Sequence, residues 1–159
     1  MNAPFMTVAV VMKRRKAPSR WEAWRHGVAD VVAHEEAFGA EPRCLRDDGQ
    51  TALWLHPGFE VSLHADEAEG YHLNLSSGAP VWFVMWRLAE NDPSQAAPEF
   101  VTLSYNEAGR LLDAQERVDN VPLQAQAQAW LADFTTEHYK PEAKRRRRPA
   151  SFQRPEDRQ

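Results

Sequence analysis

The chain holds a single cysteine, Cys44, among 159 residues. One thiol excludes an intrachain disulfide framework and any metal site built of thiolates alone. Glycine is scarce too, at seven residues, and no Walker loop, G-x-G-x-x-G or G-x-S-x-G elbow occurs. A phosphate cradle of backbone amides therefore lacks its usual material, and so does a nucleophile turn. No apolar run reaches the ~18 residues of a membrane span, and no apolar leader core stands near the N-terminus. A soluble, cytoplasmic protein without a membrane partner is expected. Between Lys16 and Lys140 there is no lysine at all.

That last gap exposes a segregation hidden inside the net charge of −4. Residues 1–25 carry Lys13, Arg14, Arg15, Lys16, Arg20 and Arg25 against Glu22 alone, a net of +5. Residues 140–159 carry eight basic residues against three acids, again +5, while the segment between them nets −14. Such a layout speaks to partners and association, not to fold. Lys144, Arg145, Arg146, Arg147 and Arg148 form the densest cluster, and Lys13, Arg14 and Arg15 the second. Both read as candidate partner-binding residues that meet an acidic protein surface. Phosphates of a nucleic acid are the alternative target, since such contacts are electrostatic and sequence-blind. No stacking platform is implied, because only Phe152 lies near the tail. The acidic middle would also repel a polyanion.

Hydrophobic content of 43% and six Trp suffice for a core. The pattern predicts an α+β fold: a mainly antiparallel sheet or partly open barrel of about six strands, one C-terminal amphipathic helix and a disordered basic tail. Residues 1–140 are expected to form one globular domain and residues 141–159 the tail. Thr7 to Met12 reads as the first strand. Residues 21–33 fit a helical stripe or an alternation, and β-branched and aromatic residues favour the strand. Glu35 to Gln50 reads as a loop with a turn at Asp47-Asp48-Gly49-Gln50. Thr51 to Leu55 reads as a strand, His56-Pro57-Gly58 as a turn, and Phe59 to Leu63 as a second strand. Tyr71, Leu73 and Leu75 alternate with His72, Asn74 and Ser76, which predicts a hairpin with Val81 to Leu88. The latter run is apolar on both faces, so it should be central. Residues 89–98 read as a loop and Phe100 to Tyr105 as a strand. Asn106 or Ser104 reads as a helix cap, and Ser104-x-x-Glu107 has capping-box spacing for a helix from Glu107 to Ala114. Leu123, Ala127, Trp130, Leu131, Phe134 and His138 form one helical stripe, with Pro122 in the first turn.

Chemistry-bearing clusters are sparse. His64, Asp66, Glu67, Glu69 and His72 offer two imidazoles and three carboxylates within nine positions, but ordinary solvated residues explain them as well. His34-Glu35-Glu36 lacks the second His of a zinc-protease helix, since position 38 is Phe38. Cys44 in a polar loop reads as incidental. The Trp residues read as core, with Trp82 and Trp86 on one strand face. Asn106 to Arg110 reads as a cap with Gly109 at a close helix–sheet contact.

Several separated motifs together resemble one family. They are Val8-Ala9-Val10-Val11-Met12-x-Arg14-Arg15, Trp21-x-x-Trp24, Gly70-Tyr71-His72-Leu73-Asn74-Leu75, Val84-Met85-Trp86-Arg87, Leu103-Ser104-Tyr105-Asn106-Glu107-Ala108-Gly109-Arg110, and Glu137-His138-Tyr139-Lys140-Pro141 before the arginine run. They are similar to a small bacterial family catalogued as domain of unknown function 3305, over nearly the whole chain. Its members are often labelled molybdopterin-guanine dinucleotide biosynthesis protein A. The resemblance implies an association with molybdenum-dependent formate dehydrogenase genes. The label's enzymatic meaning does not suit these residues, because the first strand runs into Lys13-Arg14-Arg15-Lys16-Ala17-Pro18 without the glycine of a nucleotide loop. The expectation is a non-catalytic accessory protein, with no catalytic residue, metal or cofactor, that assists assembly or maturation of such a dehydrogenase. Its partner would be acidic, a molybdoenzyme or a maturation factor. A nucleic-acid-binding protein and a small metal- or ligand-binding enzyme are the alternatives.

Overall fold

The β-branched run after Pro4 makes a longer strand than its apolar core suggests. In the computed structural model, which describes residues 3–18 and 23–141, β1 spans Phe5–Lys16. It is central in a four-stranded antiparallel sheet of order β2-β1-β4-β3, with β2 at Trp24–Ala33, β3 at Arg43–Asp47 and β4 at Thr51–Ser62. Being central, it is covered on both faces in its middle, where Val8, Ala9 and Val10 are all fully buried. The strand reading of residues 24–33 holds. Arg20, Trp21 and Glu22 lie outside the described residues, as do Lys144 to Arg148 and the tail.

Two irregularities shape this sheet. Val8 pairs with Phe59 and Val10 with His56, so Pro57 and Gly58 together oppose Ala9. His56-Pro57-Gly58 is thus a bulge inside one continuous β4 and not a turn; Gly58 sits at φ 89, a conformation that glycine adopts without penalty. The true turn is Asp48-Gly49-Gln50, where Asp48 Oδ1 accepts from the amides of Gln50 and Thr51 at 3.0 and 2.8 Å. The loop expected over residues 35–50 contains β3 and a short 3₁₀ turn at Glu36–Phe38.

The expected hairpin of residues 71–88 is corrected. Ala68–Ser76 is a helix, α1, after a 3₁₀ turn at Ala65–Glu67. Alternation put Leu73 on the buried face with Tyr71 and Leu75. Helical spacing instead buries Ala68, Tyr71 and Asn74 and leaves Leu73 39% exposed. The strand Val81–Ala89, β5, pairs with Asp92–Thr102, β6, across the short turn at Glu90 and Asn91. Residues 92–98 were expected in a loop because of Pro93 and Pro98. Both fit a strand because β6 is an edge strand, and Pro98 adjoins a register shift.

β5 is central, as its apolar faces predict, in a second antiparallel sheet of order β6-β5-β7. β7 is Arg117–Pro122, a strand the sequence reading missed. Tyr105–Asp113 forms α2, beginning two residues before the expected Glu107, and of the two candidate caps Ser104 is the one used. Ala125–His138 forms α3, so Pro122 ends β7 and does not open the helix. The architecture is α+β. Val8, Val10, Met12, Val31 and Val61 of the first sheet share one core with Trp82, Val84, Trp86 and Val101 of the second. Tyr71 of α1 and Ala127 and Leu131 of α3 belong to the same core. Burying that much aliphatic and aromatic surface is the main stabilising term.

One seam between the sheets is closed by side chains. Gln124 Nε2 donates to the Val31 carbonyl at 2.6 Å, while its Oε1 accepts from Trp82 Nε1 at 2.8 Å. Asp119 Oδ2 accepts from the Val28 amide at 2.9 Å. These bonds tie β2 to the β7 side. Toward the other edge, β4 and β6 approach each other and leave a cleft. No helix of the described residues is long and apolar enough to cross a membrane.

Candidate functional site

Glu67, Ser104, Glu107 and Arg110 meet where α1 adjoins α2, and they satisfy one another. Ser104, fully buried, donates from Oγ to Glu67 Oε1 at 2.6 Å and accepts the Glu107 amide at 3.1 Å. Glu67 Oε2 also takes Arg110 Nη2 at 2.6 Å. The Glu107 carboxylate accepts from Thr102 Oγ1 at 2.6 Å, and that hydroxyl accepts the Ser104 amide at 3.1 Å. The capping box is therefore relayed through Thr102. Asn74, also buried, donates to the carbonyls of Val81 and Leu103 and accepts the Val81 amide, at 2.8, 3.0 and 3.0 Å. Its amide group knits α1, β5 and β6 together. Every donor named here has a partner, so the network reads as a structural joint. The close-contact glycine is Gly70 and not Gly109: a Cβ on Gly70 would lie 2.1 Å from Ser104 Oγ, whereas nothing lies within 4 Å of one on Gly109.

The weighed metal cluster does not converge. Glu67 is held by Ser104 and Arg110, Glu69 accepts from Asn106 at 3.3 Å, and His72 stacks on Tyr139 at 4.4 Å. The His64 amide donates to the Tyr71 hydroxyl at 2.9 Å, and burial pushes that phenol up to about 12. Among the described residues no three His, Cys, Asp or Glu side chains come together to hold a metal ion. His34 packs edge-on against Phe38, and Cys44 lies exposed on β3.

The first basic run is divided by its strand. Lys13 and Arg15 are exposed, as is Lys16, while Arg14 between them is half-buried. Period-2 alternation causes this. Arg15 is the cross-strand partner of exposed Arg25, and Lys16 of Trp24. Lys16 Nζ and the Arg14 guanidinium carbon lie 5.9 and 4.6 Å from the Trp24 ring centroid. The other predicted partner-binding residues, Lys144, Arg145, Arg146, Arg147 and Arg148, lie outside the described residues.

Arg14 leads into the cleft between the sheets, a cavity of about 290 Å³. One wall carries Met12, Arg14, Trp54 and His56; the other carries Arg87, Leu88 and residues 94–97. Met12 and Trp54 are register partners, so β1 and β4 present this wall together. Arg14 Nη1 donates to the Ser94 carbonyl, but Arg14 Nε and Trp54 Nε1 are buried donors without a partner. Leaving such a donor unpaired costs roughly 1–3 kcal/mol. His56 is held below its usual imidazole range by burial. The Arg87 charge is answered by Glu116 in a two-bond contact of 3.0 and 2.6 Å. Sequence reasoning missed the cleft residues Trp54 and His56, because the second wall comes from a strand some forty positions on, which no local pattern reports.

A family model described as "Protein of unknown function (DUF3305)" matches residues 7–148. No curated protein and no solved structure matches the chain.

Proposed function

We propose that this chain, which belongs to the DUF3305 family, is a non-catalytic accessory protein that docks an acidic protein partner through the exposed basic end of β1 and β2. The observation that carries the reading is the register pairing of Arg15 with Arg25, both exposed, beside Lys13 and Lys16. A group of exposed cations at one end of the sheet complements an acidic surface. Lys144 to Arg148 extend the same charge in sequence. The partner in this reading is a molybdenum-dependent formate dehydrogenase or a factor that matures it, on the strength of the family resemblance alone.

Recovery of partners from cells that make this protein tests the proposal. The full chain should capture a molybdoenzyme or a maturation factor. A Lys13→Glu/Arg15→Glu variant should lose it while melting close to the parent, since both side chains are exposed. A chain ending at residue 140 should bind more weakly. Recovery of neither class of partner by the full chain overturns the assignment. Binding to duplex or single-stranded nucleic acid that weakens steeply with salt would replace the protein partner by a polyanion.

A further inference from the structure

Arg14 is the one member of the first basic run that turns inward. It is half-buried in the wall of the cleft. Among the described residues no carboxylate forms a salt bridge with it. Asp92 lies near enough to feel the Arg14 charge but accepts its hydrogen bonds from Ser94, so no carboxylate contacts this partly desolvated guanidinium directly. The contacts it does make leave Nε, itself covered, without a partner. Nη1 is taken by the Ser94 carbonyl, and the face of the group lies over Trp24. What remains is the edge formed by Nε and Nη2, whose N–H bonds run parallel. That edge takes a carboxylate side-on with two hydrogen bonds.

The surroundings favour the same chemistry. Trp54, in the same wall, supplies a second unpartnered donor at Nε1. Lys13 adds a positive charge at the rim, and Glu99 is the only carboxylate among the lining residues. Met12, Leu88, Ala96 and Ala97 add apolar surface beside the polar His26, His56, Arg87 and Gln95. Ligand pockets combine this kind of apolar lining with a few convergent polar groups. A volume of about 290 Å³ suits a molecule of modest size. A naked phosphate would leave the apolar wall uncovered.

We infer that the cleft between the two sheets binds a small organic carboxylate, its carboxylate on the Nε–Nη2 edge of Arg14 and its apolar body against Met12 and Leu88. Both orphaned donors are covered in the present state, so entry is accompanied by a turn of the Arg14 side chain, whose polar tie to the protein is the Ser94 carbonyl. This inference rests on Arg14 and Trp54, whereas the docking reading rests on the exposed Arg15, Lys16 and Arg25; Lys13, at the cleft rim, is common to both.

The test titrates the full chain with benzoate and with hexanoate, and separately with benzamide and inorganic phosphate. Binding is followed by calorimetry and by the indole N–H resonance of Trp54. Saturable binding of at least one carboxylate is expected, with a shift of the Trp54 resonance and no saturable binding of benzamide or phosphate. Arg14→Lys should weaken it by about tenfold or more, because an ammonium cannot make the parallel pair. Arg15→Gln should leave it unchanged. If Arg14→Lys does not fold, the Trp54 shift in the parent chain decides. No saturation by either carboxylate at millimolar concentration, equal binding of benzamide, or binding indifferent to Arg14→Lys overturns the inference.

Discussion

A single methyl group decides the joint between α1 and α2. At Gly70 an added Cβ would meet Ser104 Oγ at 2.1 Å, Ser104 Cβ at 3.0 Å and the Asn106 backbone nitrogen at 3.1 Å. The hydroxyl cannot simply turn away, because it holds Glu67 and the Glu107 amide. Gly70→Ala should therefore destabilise the fold by about 1–3 kcal/mol through overpacking, read as a lower urea midpoint. Adding Ser104→Ala should relieve only part of that, since the contacts to Cβ and to the backbone remain and the α2 cap is lost. An unchanged midpoint for Gly70→Ala would show that the two helices are not held this closely. The motif residues around this joint were visible in the sequence as a set. Their role was not, because Glu67, Gly70, Asn74 and Ser104 meet only after α1 packs on the end of β6.

Among the elements, the legible ones were those whose pattern was unambiguous. β1, β5 and the α3 stripe declared themselves by β-branched runs or helical spacing. α1 did not, since Tyr71, Leu73 and Leu75 satisfy alternation, and the helical face of Ala68, Tyr71 and Asn74 includes a polar residue whose burial depends on partners on β5 and Leu103. β7 was hidden by its polar Asp119 and Asn120, the first of which serves the seam with β2. For the candidate site, the basic run was legible but its division was missed, although alternation already separates Arg14 from Lys13 and Arg15. The β4 bulge offers a check at this scale. Gly58 has a positive φ of 89, yet a Cβ there would meet nothing within 4 Å. Gly58→Ala should cost about 1–2 kcal/mol, from backbone strain alone. Gly58→Asn should cost less, because asparagine tolerates the left-handed region. A penalty equal for both would point to packing and not to backbone conformation.

For the whole molecule, stability should depend on pH in three windows set by different groups. His56 is depressed below its ordinary 6.5 by burial in the cleft wall. The unfolded chain therefore takes up that proton first, and the contribution present above 6.5 is lost as pH falls through the lower, folded value. Asp48, Asp92 and Glu116 are also depressed, from ordinary values of 3.8, 3.8 and 4.5, by hydrogen bonds from Thr51, Ser94 and Arg87 in turn. Their contributions persist until the pH drops below that carboxylate range. Tyr71 moves the other way, raised by burial from 10.0 to about 12. Its stabilisation is complete below 10 and disappears as pH rises toward 12. Urea midpoints measured across the range should thus be flat between neutrality and about pH 10 and fall on both sides. His56→Gln should remove the fall that begins near 6.5 and leave the carboxylate limb intact. Tyr71→Phe should flatten the alkaline limb, at a general cost of about 1 kcal/mol for the hydroxyl that accepts the His64 amide. A descent near 6.5 that survives in His56→Gln would move its origin away from the cleft and to another imidazole of the fold.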